Sequence, residues 1–132
     1  MVENIKERIE AIQVLCLAAN KLISKWGSDE QKAAEKALWQ AIGNMEKEAG
    51  PGLQPGKLVK FAQADNYARY IVEKVGKKTC KLVHLDYMDG YRSPAVSAKG
   101  DCWTDEVKGR IEWEENMRRI FAAHREKAVA SA

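Results

Sequence analysis

The segment GPGLQPG, residues 50–56, constrains the fold most, because two prolines and three glycines in seven residues end any helix. Before it, apolar residues recur every three or four positions, which is the period of a helix. After it, the chain changes to short runs rich in β-branched and aromatic residues. The sequence therefore predicts an α+β protein, with a helical part at 1–49, a linker at 50–56 and an antiparallel sheet within 57–100.

Two amphipathic helices are predicted before the linker. The first has an apolar stripe of Ile5, Ile9, Ile12, Cys16, Ala19, Leu22, Ile23 and Trp26, and the second has one of Ala34, Leu38, Ala41, Ile42 and Met45. Gly27 ends the first helix, and Ser28 can cap the second, with Gln31 completing a capping box. The short break between them predicts an antiparallel helical hairpin that packs on another part of the chain or on a second copy.

Four strand-like runs follow the linker: KLVKFAQA, YARYIVEKV, TCKLVHLDY and YRSPAV. Turn residues separate them near 65, 76 and 89, and no helix lies between them, which predicts an antiparallel meander. A last helix is predicted at 103–128, with a stripe of Val107, Ile111, Met117, Ile120, Phe121 and His124. The 132 residues are typical of one domain.

The composition argues against several classes of protein. The chain contains three scattered cysteines and two distant histidines, so we expect neither a disulfide framework nor a metal site, and no motif calls for a cofactor. No apolar run is long enough for a membrane span, and we expect a cytoplasmic protein. Residues 57–100 carry nine Lys or Arg against four acids, a net of +5, which favours an anionic partner. A solvated lysine face is the alternative reading.

The meander GKLVKFAQADN, YARYIVEKV, KKTCKLVHLDYMDG and YRSPAV resembles a Tudor-type domain of the SH3-like barrel class over about residues 55–97. The whole chain also resembles the small orphan proteins of bacterial mobile gene cassettes (integrons), a resemblance that no single motif carries. The Tudor resemblance implies an aromatic cage for a methylated cation. By position, Tyr67 and Tyr87 match cage aromatics, and Asp89 matches a polar partner. His84 and Gln63 stand where aromatics are usual.

The tyrosines at 67, 70, 87 and 91 could form a stacking surface beside Arg69 and Arg92. Aromatic rings interleaved with cations are suited to single-stranded nucleic acid or a peptide. The alternative is that part of these rings are core or cross-strand pairs. The residues expected to bind a ligand are Tyr67, His84, Tyr87, Asp89, Tyr91 and Arg92.

Catalysis has little support in the sequence. Cys80, His84 and Asp86 have even spacing on one predicted strand, but Cys80 and His84 would be about 13 Å apart, too far for a hydrogen bond. The main hypothesis is a non-catalytic binding module whose contacts come from the sheet turns. The alternatives are a small enzyme or small-molecule binder with a pocket between helices and sheet, and a homo-oligomer built through the helices.

Overall fold

The structure is a computed structural model that describes residues 2–63, 66–85 and 101–130. Its elements are, in chain order, α1 (Ile5–Lys21), a short 3₁₀ turn (Ile23–Lys25), α2 (Asp29–Ala49), β1 (Leu58–Gln63), β2 (Asn66–Val75), β3 (Thr79–Leu85), β4 (Asp101–Trp103) and α3 (Thr104–Ala130). This order confirms the predicted α+β class, with amino-terminal helices, an antiparallel sheet and a carboxy-terminal helix.

The helical hairpin forms as the sequence predicts. Ser28 caps α2 by accepting a hydrogen bond from the backbone N–H of Gln31. The Gln31 side chain reaches back to the N–H of Gly27 at 3.3 Å, one residue earlier than an ordinary capping box requires. Gly50 ends α2 with a positive φ, in a conformation that other residues avoid. The predicted end of the first helix at Gly27 is wrong: α1 ends at Lys21, and Gly27, also with positive φ, lies in the connection before α2.

The sheet is curled and antiparallel, with strand order β1-β2-β3-β4, and its curl is compatible with an SH3-like half-barrel. The predicted turn near 76 joins β2 to β3, and a bulge interrupts their pairing between Val72 and Lys74. The predicted strand YRSPAV and the turn near 89 lie outside the described residues, as does the centre of the turn near 65. The fourth described strand is instead Asp101–Trp103, which pairs with the beginning of β3.

The sheet is packed between two helical layers, each with its own apolar cluster. Leu58, Ile71 and Leu85 point to the hairpin, where they meet the buried stripes of α1 and α2. Alternate residues of the same strands point to the other face and meet α3; they include Val59, Val72 and Leu82. The sheet thus covers the hairpin stripes that the sequence left without a partner.

The first half of the last helix packs on the rest of the described structure. Val107 and Ile111 are its buried residues, at 0% and 3% exposure. Ile120 and Phe121, which the sequence placed on the same stripe, are 41% and 59% exposed. The predicted single stripe is therefore wrong: the helix has one face on the sheet and a second apolar face in solvent. None of the described helices is long and apolar enough to cross a bilayer.

Candidate anion-binding surface

The structure describes few of the predicted ligand contacts. Tyr87, Asp89, Tyr91 and Arg92 lie outside the described residues, together with Asp86. The backbone of Tyr67 lies in β2 opposite Ala62, and its side chain is also outside the described part. His84 is described: it lies in β3 opposite Tyr70 and is half-buried. The proposed contacts at that end of the sheet therefore stay predictions.

His84 belongs to a row of rings under α3. The rings of Phe61 and Tyr70 meet edge to face at 5.5 Å, and Tyr70 and His84 are 5.2 Å apart. The guanidinium of Arg110, from α3, lies 4.6 Å from the centre of the Phe61 ring. Tyr70 is only 5% exposed, and burial raises its pKa, with the Cys102 thiol adding to the effect. Tyr70 is thus a core residue that helps seat α3, as the cross-strand alternative predicted.

Arg69 also differs from its expected place. Its guanidinium lies 5.5 Å from the Trp39 ring, on the hairpin side of the sheet. Leu58 and Ile71, which form the adjacent cross-strand pair, contribute to the core on that side. Arg69 and Tyr70 are consecutive in β2 and therefore serve opposite faces, so they do not form a joint stacking surface.

A different basic and aromatic surface is present at the β2–β3 turn, the end of the sheet opposite to the predicted contacts. We call it the hairpin patch and define it by Lys74, Lys77, Lys78, Lys81 and Trp103. The four lysines are exposed, and Trp103 on the edge strand β4 is 66% exposed. Trp103 lies directly opposite Thr79, so its strand position is next to the lysines of the turn.

Hydrogen bonds to backbone groups of the β2–β3 turn fix the backbone of the hairpin patch. The N–H of Gly76 donates to the Thr79 carbonyl at 3.0 Å, which closes the turn. The Thr104 hydroxyl donates to the Gly76 carbonyl at 2.7 Å, and the Thr104 N–H donates to the Lys78 carbonyl at 2.9 Å. Thr104 is the first residue of α3 and directly follows Trp103. Its hydrogen bonds therefore connect the β2–β3 turn to the edge strand β4 and to α3.

The charges of the hairpin patch are incompletely balanced. Lys81 pairs with Glu73 at 2.9 Å, while Lys74, Lys77 and Lys78 form no ion pair with another described residue. Lys74 and Lys81 are direct cross-strand partners, an arrangement of like charges that lowers the stability of a sheet. Asp105 and Glu106 follow in the first turn of α3, and Glu106 pairs with Arg110. A bound anion would relieve the repulsion between the lysines.

The sequence contained a signal for this surface. Lysines at 74, 77, 78 and 81 account for much of the positive charge that the composition reveals in 57–100. Trp103 itself gives no such signal, because nothing in its own neighbourhood shows that a three-residue strand places it opposite Thr79. That contact depends on the pairing of β3 with β4.

A buried ion pair lies away from the hairpin patch. Lys57 Nζ donates to Glu115 Oε1 at 2.8 Å and to the Gly50 carbonyl at 3.0 Å. Glu115 also accepts the Gly52 N–H at 3.0 Å. Burial alone would raise the pKa of Glu115, but the hydrogen bonds from Lys57 and Gly52 outweigh it and keep that pKa below its ordinary value. These contacts attach the 50–56 linker to α3, so the role of the ion pair is structural.

The candidate catalytic residues Cys80 and His84 have separate surroundings. Cys80 is fully buried and its thiol donates to the Thr104 hydroxyl at 3.6 Å, while His84 packs on Tyr70. The Cys102 thiol donates to Glu106 Oε2 at 3.8 Å. No group of three or more His, Cys, Asp or Glu side chains in the described part could hold a metal ion. Two open grooves, of about 760 and 600 Å³, share Trp113 as a wall.

Comparison of the chain with protein-family models, with curated proteins and with solved structures gave no significant match.

Proposed function

We propose that the protein is a cytoplasmic, non-catalytic binding module that holds single-stranded nucleic acid on the hairpin patch. The observation that carries this proposal is the exposed indole of Trp103 beside four exposed lysines. Lysines attract the phosphate backbone, and an exposed ring offers a stacking partner to any base, so the two together favour a single strand over a duplex.

The remaining structure supports a binding role. The curled antiparallel sheet is compatible with an SH3-like scaffold, which holds exposed side chains on rigid strands. The buried Cys80 thiol is hydrogen-bonded to Thr104, and the His84 ring packs on Tyr70. Tyr67, Tyr87, Asp89, Tyr91 and Arg92 stay a second predicted contact region.

Fluorescence anisotropy with a labelled single-stranded oligonucleotide at low salt tests the proposal. We expect Trp103→Ala to weaken binding by about 1–3 kcal/mol, the usual contribution of one stacked base. Trp26→Ala is the matched control, since Trp26 is 54% exposed but lies between α1 and α2. The Trp26→Ala variant should bind the oligonucleotide with the same affinity as the parent protein. Circular dichroism melting should show little change in either variant.

The same assay separates nucleic acid from an acidic peptide. A poly-glutamate peptide offers the charge without a base to stack. We expect weaker binding of this peptide and no effect of Trp103→Ala on it. Equal loss of affinity in the Trp103 and Trp26 variants, or tighter binding of the peptide than of the oligonucleotide, would contradict the proposal.

A further inference from the structure

The apolar side chains of α3 form two separate stripes. Successive residues in an α-helix are turned by about 100°. Val107 and Ile111 therefore share the face that is buried on the sheet, whereas Trp113, Met117 and Ile120 lie about a third of a turn away. Phe121 extends this second stripe. We call Trp113, Met117, Ile120 and Phe121 the free face of α3.

The free face is open to solvent. Trp113, Ile120 and Phe121 are 63%, 41% and 59% exposed, and Met117 is half-buried. Met117 follows Trp113 by four residues, and Ile120 and Phe121 follow Met117 by three and four, which matches the seam of a helix pair, in which an apolar residue recurs every three or four positions. Helical residues 113–124 span about 17 Å, enough for several interlocking side chains.

The charges of α3 are divided between its two halves. Residues 104–115 contain five acids and two bases, whereas residues 116–130 contain four bases and one acid. Lys57 and Lys60 pair with Glu115 and Glu114, which leaves the first half mildly acidic. Arg118 also pairs with Glu114, and the second half remains positive. This division also follows the helix macrodipole, which favours acids near the beginning of a helix and bases near its end.

We infer that the free face of α3 binds the same face of a second copy of this chain, with the two helices antiparallel. An antiparallel pair places the acidic half of each helix against the basic half of the other, and a two-fold axis makes both contacts equivalent. A parallel pair would place the two basic halves side by side. This inference goes beyond the proposed function and involves a different surface from the hairpin patch.

The apolar part of the inference is tested by sedimentation velocity over a concentration series reaching several hundred micromolar. We expect a monomer–dimer equilibrium for the full chain and a monomer for Phe121→Glu. Leu17→Glu is the matched control: Leu17 is 55% exposed on α1, and the variant should dimerise like the parent. A parent protein that stays monomeric, or a Phe121 variant that dimerises as the parent does, would overturn the inference.

The antiparallel orientation is tested by charge reversal. Arg125→Glu with Lys127→Glu converts the basic half of α3 to a net of −1, and both side chains are exposed. In the antiparallel pair this change should weaken dimerisation roughly tenfold or more, because attraction is lost at two equivalent contacts. In a parallel pair it would strengthen dimerisation by removing repulsion. The control Lys32→Glu with Lys36→Glu applies the same charge change on α2 and should have no effect.

Discussion

Lys57 and Glu115, 58 residues apart in the sequence, form a 2.8 Å ion pair that joins the glycine-rich linker to α3. The Lys57 side chain is 8% exposed and that of Glu115 is 24% exposed, so water screens the pair poorly. The pair holds the linker, which divides the helical part from the sheet, against the middle of α3.

We predict that Glu115→Gln lowers the free energy of unfolding by about 2 kcal/mol, because it leaves a buried ammonium without its carboxylate. Glu112→Gln, at an exposed position of the same helix, is the control and should change little. Chemical denaturation of both variants measures the effect. A loss in Glu112→Gln as large as that in Glu115→Gln would show that the ion pair is not responsible.

The stabilisation by Glu115 should depend on pH in one direction. Because its pKa in the folded protein is below the ordinary value, the carboxylate contributes fully above that ordinary value. The contribution is lost as the pH falls through the folded pKa. The difference in unfolding free energy between the parent and Glu115→Gln should therefore be constant near neutrality and shrink in acid. A difference that grows in acid would contradict this assignment.

Replacement by alanine should lower the stability of the protein at one glycine and raise it at another. A Cβ on Gly76 would lie 2.5 Å from the Thr79 carbonyl oxygen, so Gly76→Ala must displace the β2–β3 turn, at a cost of about 1–3 kcal/mol. A Cβ on Gly43, inside α2, would meet nothing within 4 Å, and Gly43→Ala should stabilise the helix by about 0.5–1 kcal/mol. In thermal melting, the Gly76 variant should have a lower melting temperature than the parent, and the Gly43 variant a higher one. The Gly76 variant should also bind the oligonucleotide more weakly.

The three thiols should differ in reactivity. Cys16 and Cys80 are 1% and 0% exposed, whereas Cys102 is partly accessible. Burial raises the pKa of Cys102, and the nearby Glu106 carboxylate raises it further, so its labelling should accelerate only at pH values above the ordinary range for a thiol. Titration with a thiol reagent should find one reactive group in the native protein, removed by Cys102→Ser, and three after unfolding. Rapid labelling of the native Cys102→Ser variant would disprove this.

Tyr91→Ala tests the region that the sequence proposed. If Tyr91 stacks on a ligand, the variant should keep its melting temperature and lose oligonucleotide affinity by about 1–3 kcal/mol. If Tyr91 is a core residue, truncation should instead cost about 3 kcal/mol or more of stability. Pairing this variant with Trp103→Ala determines whether a ligand contacts one end of the sheet or both.

Much of the fold could be predicted because its signals are local. The Ser28 cap, the glycine that ends α2 and the turn at Gly76 each depend on residues close in the chain. The meander β1-β2-β3 follows from short turns, which leave antiparallel pairing as the only option.

The site and the free face could not be predicted, because they depend on contacts between distant residues. Trp103 adjoins the lysines only through the pairing of β4 with β3. Similarly, periodicity groups Val107 with Phe121 in one stripe, although the sheet ends before the helix does. The extent of the sheet is a tertiary property, and it decides which apolar residues of α3 remain exposed.

The salt dependence of oligonucleotide binding tests the central claim most directly. Each phosphate contact with a single strand contributes about −0.7 to the slope of log affinity against log salt, so four lysines predict a slope near −2.8. Lys77→Ala with Lys78→Ala should reduce it to about −1.4, whereas the control Lys32→Ala with Lys36→Ala should leave it unchanged. If the hairpin-patch variant keeps the parent slope, or the parent binds no oligonucleotide at low salt, nucleic-acid binding at this surface is refuted.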